Sequence, residues 1–129
     1  MLSNMGFGVV VLLGLSGAFG ATVRFALSEW ATKRWQMNFP LPTLLINVSG
    51  AFALGVLTTL GGTSDALAQT RLLLGTGFLG GYTTFSTLSF DTHSLFRSRQ
   101  TRAAWLNVLG SLGIGVTAAA LGMLCGSLL

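Results

Sequence analysis

Charged side chains divide this chain into four long uncharged runs. The runs cover residues 1–23, 35–64, 72–90 and 103–129. A helix needs about 20 mostly apolar residues to cross a bilayer, and each run is about that long or longer. In a soluble fold these runs would have to present faces to water that carry almost nothing polar. The pattern therefore predicts an all-α integral membrane protein.

Turn signals place four transmembrane helices within a single domain over residues 1–129. Pro40 and Pro42 suit the start of the second helix, where a missing N–H costs nothing. The string Gly61-Gly62-Thr63-Ser64-Asp65 marks the end of that helix. The four predicted helices cover about residues 5–32, 43–60, 66–97 and 103–127.

Composition supports the membrane assignment and removes several classes of function. Of 129 residues 51% are hydrophobic, only seven are basic and three acidic, and the mean hydropathy is +0.73. The single cysteine, Cys125, rules out an internal disulfide and a cysteine-ligated metal. One histidine and three scattered acids supply no nucleophile–base pair, so we expect no enzyme. Most of the basic residues behind the net charge of +4 lie in short loops, as is usual at the ends of transmembrane helices. We therefore expect no nucleic-acid binding.

The third run differs from the others because glycines and hydroxyls interrupt it. Glycine costs about 1 kcal/mol relative to alanine inside a helix, so we expect the helix to open at the pair Gly80-Gly81. Two half-helices that meet near the midplane, with a break near residues 80–83, are still long enough to cross. Backbone groups freed there cannot face lipid and must meet protein, water or an ion. Carbonyls unwound near the midplane, with no acidic side chain nearby, are typical of a cation site.

Neutral polar side chains form a candidate pathway for a small anion. Thr43 and Asn47 are four residues apart, as are Asn107 and Ser111, so each pair shares one helix face. The third run adds Thr83, Thr84, Ser86 and Thr87. Such groups donate hydrogen bonds without a formal charge, so an anion can shed water there and leave again. For any single hydroxyl, the alternative to a role in this pathway is a hydrogen bond to the backbone of its own helix.

Few charged residues lie inside the predicted helices. Arg24 lies well within a span, and the residues leave open whether it extends with Glu29 toward the helix end or has a functional role. Asp91 and His93 come near the end of the third run. We expect them to form a solvated or interfacial pair at the helix end, close to Arg97.

Four short strings along the chain follow an order known from one family. They are Gly17–Phe25 (GAFGATVRF), Pro42–Asn47 (PTLLIN), Thr76–Thr87 (TGFLGGYTTFST) and Asn107–Ser111 (NVLGS). Together they span essentially the whole chain, and the part GGYTTFST is the most specific. By these strings the chain resembles the Fluc (CrcB) fluoride channels of bacterial membranes.

This resemblance implies an antiparallel, dual-topology dimer with two pores and a structural Na⁺ at its centre. The implied Na⁺ ligands are the backbone carbonyls of Gly80 and Thr83 in each subunit, and Arg24 matches an arginine near the aqueous vestibule. The implied fluoride pathway contains Asn47, Phe85, Ser86, Thr87, Asn107 and Ser111. At Leu88 the family usually has a second phenylalanine, so one of two aromatic edges that attract the anion is missing.

The basic residues are distributed unevenly between the two ends of the predicted helices. Five flank one end and one lies near the other: Lys33, Arg34, Arg97, Arg99 and Arg102 against Arg71. An antiparallel homodimer needs one sequence to insert both ways, which favours little Lys/Arg bias. The resemblance favours a homodimer, and a heterodimer with an oppositely oriented paralogue is the alternative.

The function that the resemblance implies is passive export of fluoride through a multi-pass protein of the bacterial inner membrane, which lowers fluoride toxicity. One alternative is a small four-helix, proton-coupled multidrug exporter, which needs a carboxylate embedded in the membrane. The acids Glu29, Asp65 and Asp91 all lie near predicted helix ends. Another alternative is a membrane subunit without transport activity, whose polar residues only pack.

Overall fold

The computed structural model describes residues 6–129, and within that range it contains helices and short connections but no strand. Three helices are long and apolar enough to cross a membrane: α1 (Phe7–Trp35), α2 (Leu41–Thr59) and α6 (Thr101–Ser127). The prediction of an all-helical membrane protein is confirmed. The predicted start of the first helix, at about residue 5, lies outside the described residues.

The third uncharged run folds as a series of shorter pieces. They are α3 (Asp65–Arg71), a π-helical segment (Leu72–Leu79), the single turn α4 (Gly80–Tyr82) and α5 (Phe85–Arg97). Between α4 and α5, Thr83 and Thr84 are extended, with ψ angles of 158° and 122°. The interruption therefore lies at Thr83–Thr84, the C-terminal end of the interval predicted from sequence.

Gly80 and Gly81 do not open the helix, and the expectation that they would is wrong. Both belong to the helical turn α4, and Gly80 has helical dihedral angles of −61° and −38°. Gly81 instead allows α4 to approach α1, because a Cβ at this position would overlap the Gly17 carbonyl. Gly20 of α1 lies equally close to the Phe78 carbonyl. Small residues in membranes commonly have this role, since packing replaces the hydrophobic drive between helices.

The helices form two closely packed pairs joined by α5. α1 packs on the π-helical segment and α4, where Ser16 Oγ donates a hydrogen bond of 2.7 Å to the Leu73 carbonyl. α2 packs on α6, with Gly122 against the backbone of Phe52. α5 lies on α6. Large apolar side chains such as Leu112 are exposed on the outer faces, as expected for contact with lipid or another subunit.

Helix ends agree with most of the turn signals. Pro40 is the N-cap of α2 and Pro42 lies in its first turn, so both prolines stand where their missing N–H costs no bond. α1 continues to Trp35, three residues beyond the predicted end. At the opposite end of α2, Arg71 Nε donates to the Leu57 carbonyl at 3.0 Å and Nη2 donates to the Leu60 carbonyl.

Candidate functional site

Thr84 is the residue around which the interrupted segment is organised. Its N–H donates to Asn47 Oδ1 at 2.8 Å, and its carbonyl accepts from Asn47 Nδ2 at 2.9 Å. The side chain of Asn47 reaches across from α2 to make both contacts. Thr84 is buried, so both of its backbone groups would lack partners without this contact.

Hydroxyl groups surround the N-terminal end of α5. Thr84 is its N-cap, since Oγ1 accepts a hydrogen bond of 3.1 Å from the Thr87 N–H. The same Oγ1 lies 3.2 Å from Ser86 Oγ and 3.2 Å from Thr87 Oγ1. A helix N-terminus carries partial positive charge and free N–H groups, so it attracts anions. Here that end lies inside the interrupted segment, between α1 and α2.

Arg24 of α1 adds a full positive charge to this region. Its Nη1 donates to the Thr83 carbonyl, at a long distance of 3.4 Å. Glu29 pairs with Lys33 at 3.5 Å on an exposed surface instead. The interpretation in which Arg24 extends with Glu29 toward the helix end is therefore wrong.

Three adjoining cavities run from one end of the helices to the interruption. The mouth cavity, about 360 Å³, is lined by residues that include Ser28, Trp35, Thr43, Thr87, Asp91 and Gln100. The neck cavity, about 150 Å³, is lined by Arg24, Phe25, Ser28, Thr43, Thr84 and Thr87. The break cavity, about 380 Å³, is lined by residues that include Asn47, Gly80, Thr83, Thr84, Phe85 and Leu88. Ser28, Thr43 and Thr87 line both the mouth and the neck, and Thr84 lines both the neck and the break cavity.

The carboxylate of Asp91 lies in the wall of the mouth cavity. Its Oδ2 accepts a hydrogen bond of 2.9 Å from Thr43 Oγ1. Asp91 is half-buried against α2 and not fully solvated, whereas His93 is exposed. Ser28 and the pairing of Thr43 with Asp91 were missed from sequence, since no local spacing connects α1 or α2 with α5.

The residues predicted on α6 lie apart from these cavities. Asn107 is almost fully buried between α5 and α6, and its Nδ2 donates to Thr92 Oγ1 at 2.9 Å. Within residues 6–129, neither Asn107 Oδ1 nor Ser111 Oγ has a hydrogen-bond partner, although both atoms are buried. Neither residue lines the mouth, neck or break cavity. The two predicted groups of polar residues therefore occupy separate places in the fold.

Phe85 and Leu88 present apolar side chains to the break cavity. The ring of Phe85 is 81% exposed, so it contributes little to packing within the chain. Gly80 lines the same cavity and is exposed, with no atom within 4 Å of the position of an added Cβ. In the part of the chain that the structure describes, no three His, Cys, Asp or Glu side chains converge on a metal site. The oxygen atoms available to a cation at the break cavity are therefore those of backbone carbonyls, of the Thr83 and Thr84 hydroxyls and of the Asn47 carboxamide.

Comparison with known proteins identifies the family. The family described as CrcB-like protein, Camphor Resistance (CrcB), matches residues 11–123. The chain belongs to the CrcB family. A relative named fluoride-specific ion channel FluC, from Roseiflexus sp., is 46% identical over 114 residues, covering 88% of this chain and 92% of the relative.

Two further relatives cover slightly more of the chain. Fluoride-specific ion channel FluC 1 of Leifsonia xyli is 42% identical over 93% of this chain and 88% of its own length. Fluoride-specific ion channel FluC 2 of Bacillus cereus is 41% identical over 92% of this chain and 97% of its own length. The family match over residues 11–123 includes most of α1, all of α2 and of the interrupted segment, and most of α6.

Proposed function

We propose that this chain is a fluoride-selective channel that exports F⁻ passively across the bacterial inner membrane and lowers cytoplasmic fluoride. It is not an enzyme, since its CrcB relatives are named as ion channels. The observation that carries the proposal is the placement of the N-terminal end of α5, with its hydroxyls, at cavities that adjoin Arg24. This end offers positive potential and N–H and O–H donors, which are what a small anion needs in place of water.

In the proposed pathway, fluoride enters the mouth cavity and passes Arg24 in the neck. It then reaches Asn47, the ring of Phe85 and the hydroxyls of Ser86 and Thr87. An aromatic edge carries positive quadrupole charge, so Phe85 attracts the ion without the full charge that would trap it. Leu88 keeps the wall of the break cavity apolar at the place where the family usually has a second ring.

Asn107 and Ser111 complete the proposed pathway as a polar strip on α6. The unpaired hydroxyl of Ser111 can donate to an anion, because a serine hydroxyl carries one donor and two acceptor positions. A buried polar atom without a partner is costly, and a passing ion or a water would satisfy it. This argument supports placing α6 beside the ion even though the strip lies outside the three cavities of one protomer.

The proposed assembly is an antiparallel homodimer, in which the exposed faces around Phe85 and Gly80 meet the same faces of a second copy. A heterodimer with an oppositely oriented paralogue would supply an equivalent surface. α3 to α5 would then cross the membrane as two half-helices that meet at Thr83–Thr84. This arrangement supports a fourth, interrupted crossing beside the three continuous helices.

The residues present fit a structural Na⁺ at the centre of that dimer. The Thr84 N–H, which in a continuous helix would bond to the Gly80 carbonyl, donates to Asn47 instead. The Thr83 carbonyl accepts the long bond from Arg24 and retains a second lone pair. We propose that the Gly80 and Thr83 carbonyls of each subunit bind the ion. Its positive charge would stabilise four carbonyl oxygens that converge at the centre of the membrane.

Removal of Na⁺ is expected to destabilise the protein. The ion would bind the folded dimer and not separated subunits, so its binding free energy adds to stability. We expect the thermal midpoint in detergent to be about 5 °C or more higher in NaCl than in N-methyl-D-glucamine chloride. Equal midpoints in the two salts, and in a titration between them, would contradict the proposed ion site.

The proposed function is tested by efflux from liposomes that contain only this chain. Vesicles loaded with potassium fluoride or potassium chloride are diluted into potassium-free isethionate, and valinomycin carries the compensating K⁺. We expect rapid fluoride release, little chloride release and no requirement for a proton gradient. Equal rates for the two anions would refute fluoride selectivity, and no release of either would refute a self-sufficient channel.

A further inference from the structure

The contact between Asn47 and Thr84 has the geometry of a pair of opposed residues in an antiparallel sheet. One carboxamide accepts from the N–H and donates to the carbonyl of the same residue, at 2.8 Å and 2.9 Å. Opposed residues of antiparallel strands exchange two hydrogen bonds in this way. In an α-helix the N–H and carbonyl of one residue point in opposite directions along the axis, so one side chain cannot bind both. The double contact therefore requires Thr84 to be extended, as its dihedral angles of −149° and 122° show.

The segment itself contains no residue that forces a break at this point. Both prolines of the chain are at positions 40 and 42, and Gly80 and Gly81 are helical. The helical pattern continues to the last residue before the contact, since the Thr83 N–H still donates to the Leu79 carbonyl at 3.0 Å. The next N–H in the chain, that of Thr84, is the first to leave the helix, and its acceptor belongs to α2.

We propose that Asn47 is the positioning residue that keeps the interrupted segment open at Thr84. By taking the Thr84 N–H, it releases the Gly80 carbonyl from its helical partner and starts α5 in a new direction. The N-terminal end of α5, with Phe85 at its first position, is thereby fixed in the break cavity. This role uses one of the two Nδ2 hydrogens and one lone pair of Oδ1, so one donor of Asn47 remains for a passing ion. The inference does not depend on which ion passes.

The test is backbone NMR of perdeuterated protein in micelles, comparing wild type with Asn47→Ala, Asn47→Asp and Asn107→Ala. In the wild type, the Thr84 Cα shift is expected to be that of an extended residue and its amide to exchange slowly. In Asn47→Ala we expect the extended shift to be lost, with amide exchange about tenfold faster if the segment frays. An extended shift and slow exchange that both persist in Asn47→Ala would overturn the proposal.

Asn47→Asp separates the two hydrogen bonds and remains informative if Asn47→Ala does not fold. Its carboxylate can still accept from the Thr84 N–H but cannot donate to the Thr84 carbonyl. We expect slow amide exchange to be kept, while the ¹³C shift of the Thr84 carbonyl moves as its donor is lost. Fast amide exchange in Asn47→Asp would overturn the proposal.

Asn107→Ala is the matched control, because it removes a more deeply buried carboxamide from another helix. It is expected to leave the Thr84 signals unchanged, and a change equal to that of Asn47→Ala would overturn the proposal. Fluoride efflux of the same wild-type preparation keeps the two conclusions apart. Wild-type protein with the expected Thr84 signals but no fluoride efflux would refute the proposed function alone.

Discussion

Phe85→Leu is expected to lower fluoride efflux about tenfold while the protein remains folded. The ring is 81% exposed in the protomer, so its replacement by an apolar side chain of similar size removes few contacts within the fold. What is lost is the positive edge of the ring, which leucine cannot supply. The measurement is fluoride efflux from liposomes, with the thermal midpoint of the same protein as a check on folding.

Phe90→Leu is the matched control for that experiment. Phe90 lies on α5 too and is 69% exposed, but it does not line the mouth, neck or break cavity. Its replacement should leave efflux within about twofold of wild type, and an equal loss in both variants would contradict a specific role for Phe85.

Leu88→Phe tests the same idea in reverse. It restores a second ring at the break cavity and is expected to increase efflux.

Arg24→Gln is expected to reduce fluoride efflux by about one to two orders of magnitude, which corresponds to about 1.4–2.7 kcal/mol on the barrier. Arg24 lines the smallest of the three cavities and is half-buried, so solvent screens its charge less than at an open surface. Glutamine keeps a donor but removes the charge. Arg24→Lys should recover part of the flux, because it restores the charge without the planar guanidinium.

Lys33→Gln is the control for the charge of Arg24. The Lys33 side chain is 76% exposed and pairs with Glu29 at the surface, so its removal should change efflux little. The two variants should also differ in salt dependence. Raising the ionic strength should remove any effect of Lys33→Gln and leave most of the effect of Arg24→Gln. Similar losses in both variants would indicate a general effect of net charge and would contradict the local role of Arg24.

The helices could be predicted from sequence because long uncharged runs have few other structures available in a bilayer. The position of the interruption was predicted to within a few residues, but for the wrong reason. On helix propensity alone, the pair Gly80-Gly81 predicts a break in the helix. In the fold, Gly81 instead allows close contact with α1. The residue that actually diverts the backbone, Asn47, lies 37 positions away from Thr84, and no local pattern connects them. Tertiary contacts of this kind override helix propensity.

The candidate site was predictable where the chemistry lies within one string. Thr84, Ser86 and Thr87 could be grouped from sequence because they lie within four consecutive positions of the third run. Ser28 and the contact of Thr43 with Asp91 could not, since they depend on how α1 and α2 stand against α5. The π-helical segment was also missed, because its wider turn follows from packing and not from a residue signal.

Three side-chain donors to backbone carbonyls of the interrupted segment precede it in the chain. Ser16, Arg24 and Asn47 bind the carbonyls of Leu73, Thr83 and Thr84, in the same order. A ribosome releases the N-terminal part first, so these donors have entered the bilayer before the backbone that needs them is made. If a rearranged gene encoded the interrupted segment ahead of α1 and α2, this segment would enter the bilayer before its three side-chain donors were synthesised. Its carbonyls at the break would then lack hydrogen-bond partners in the hydrocarbon region.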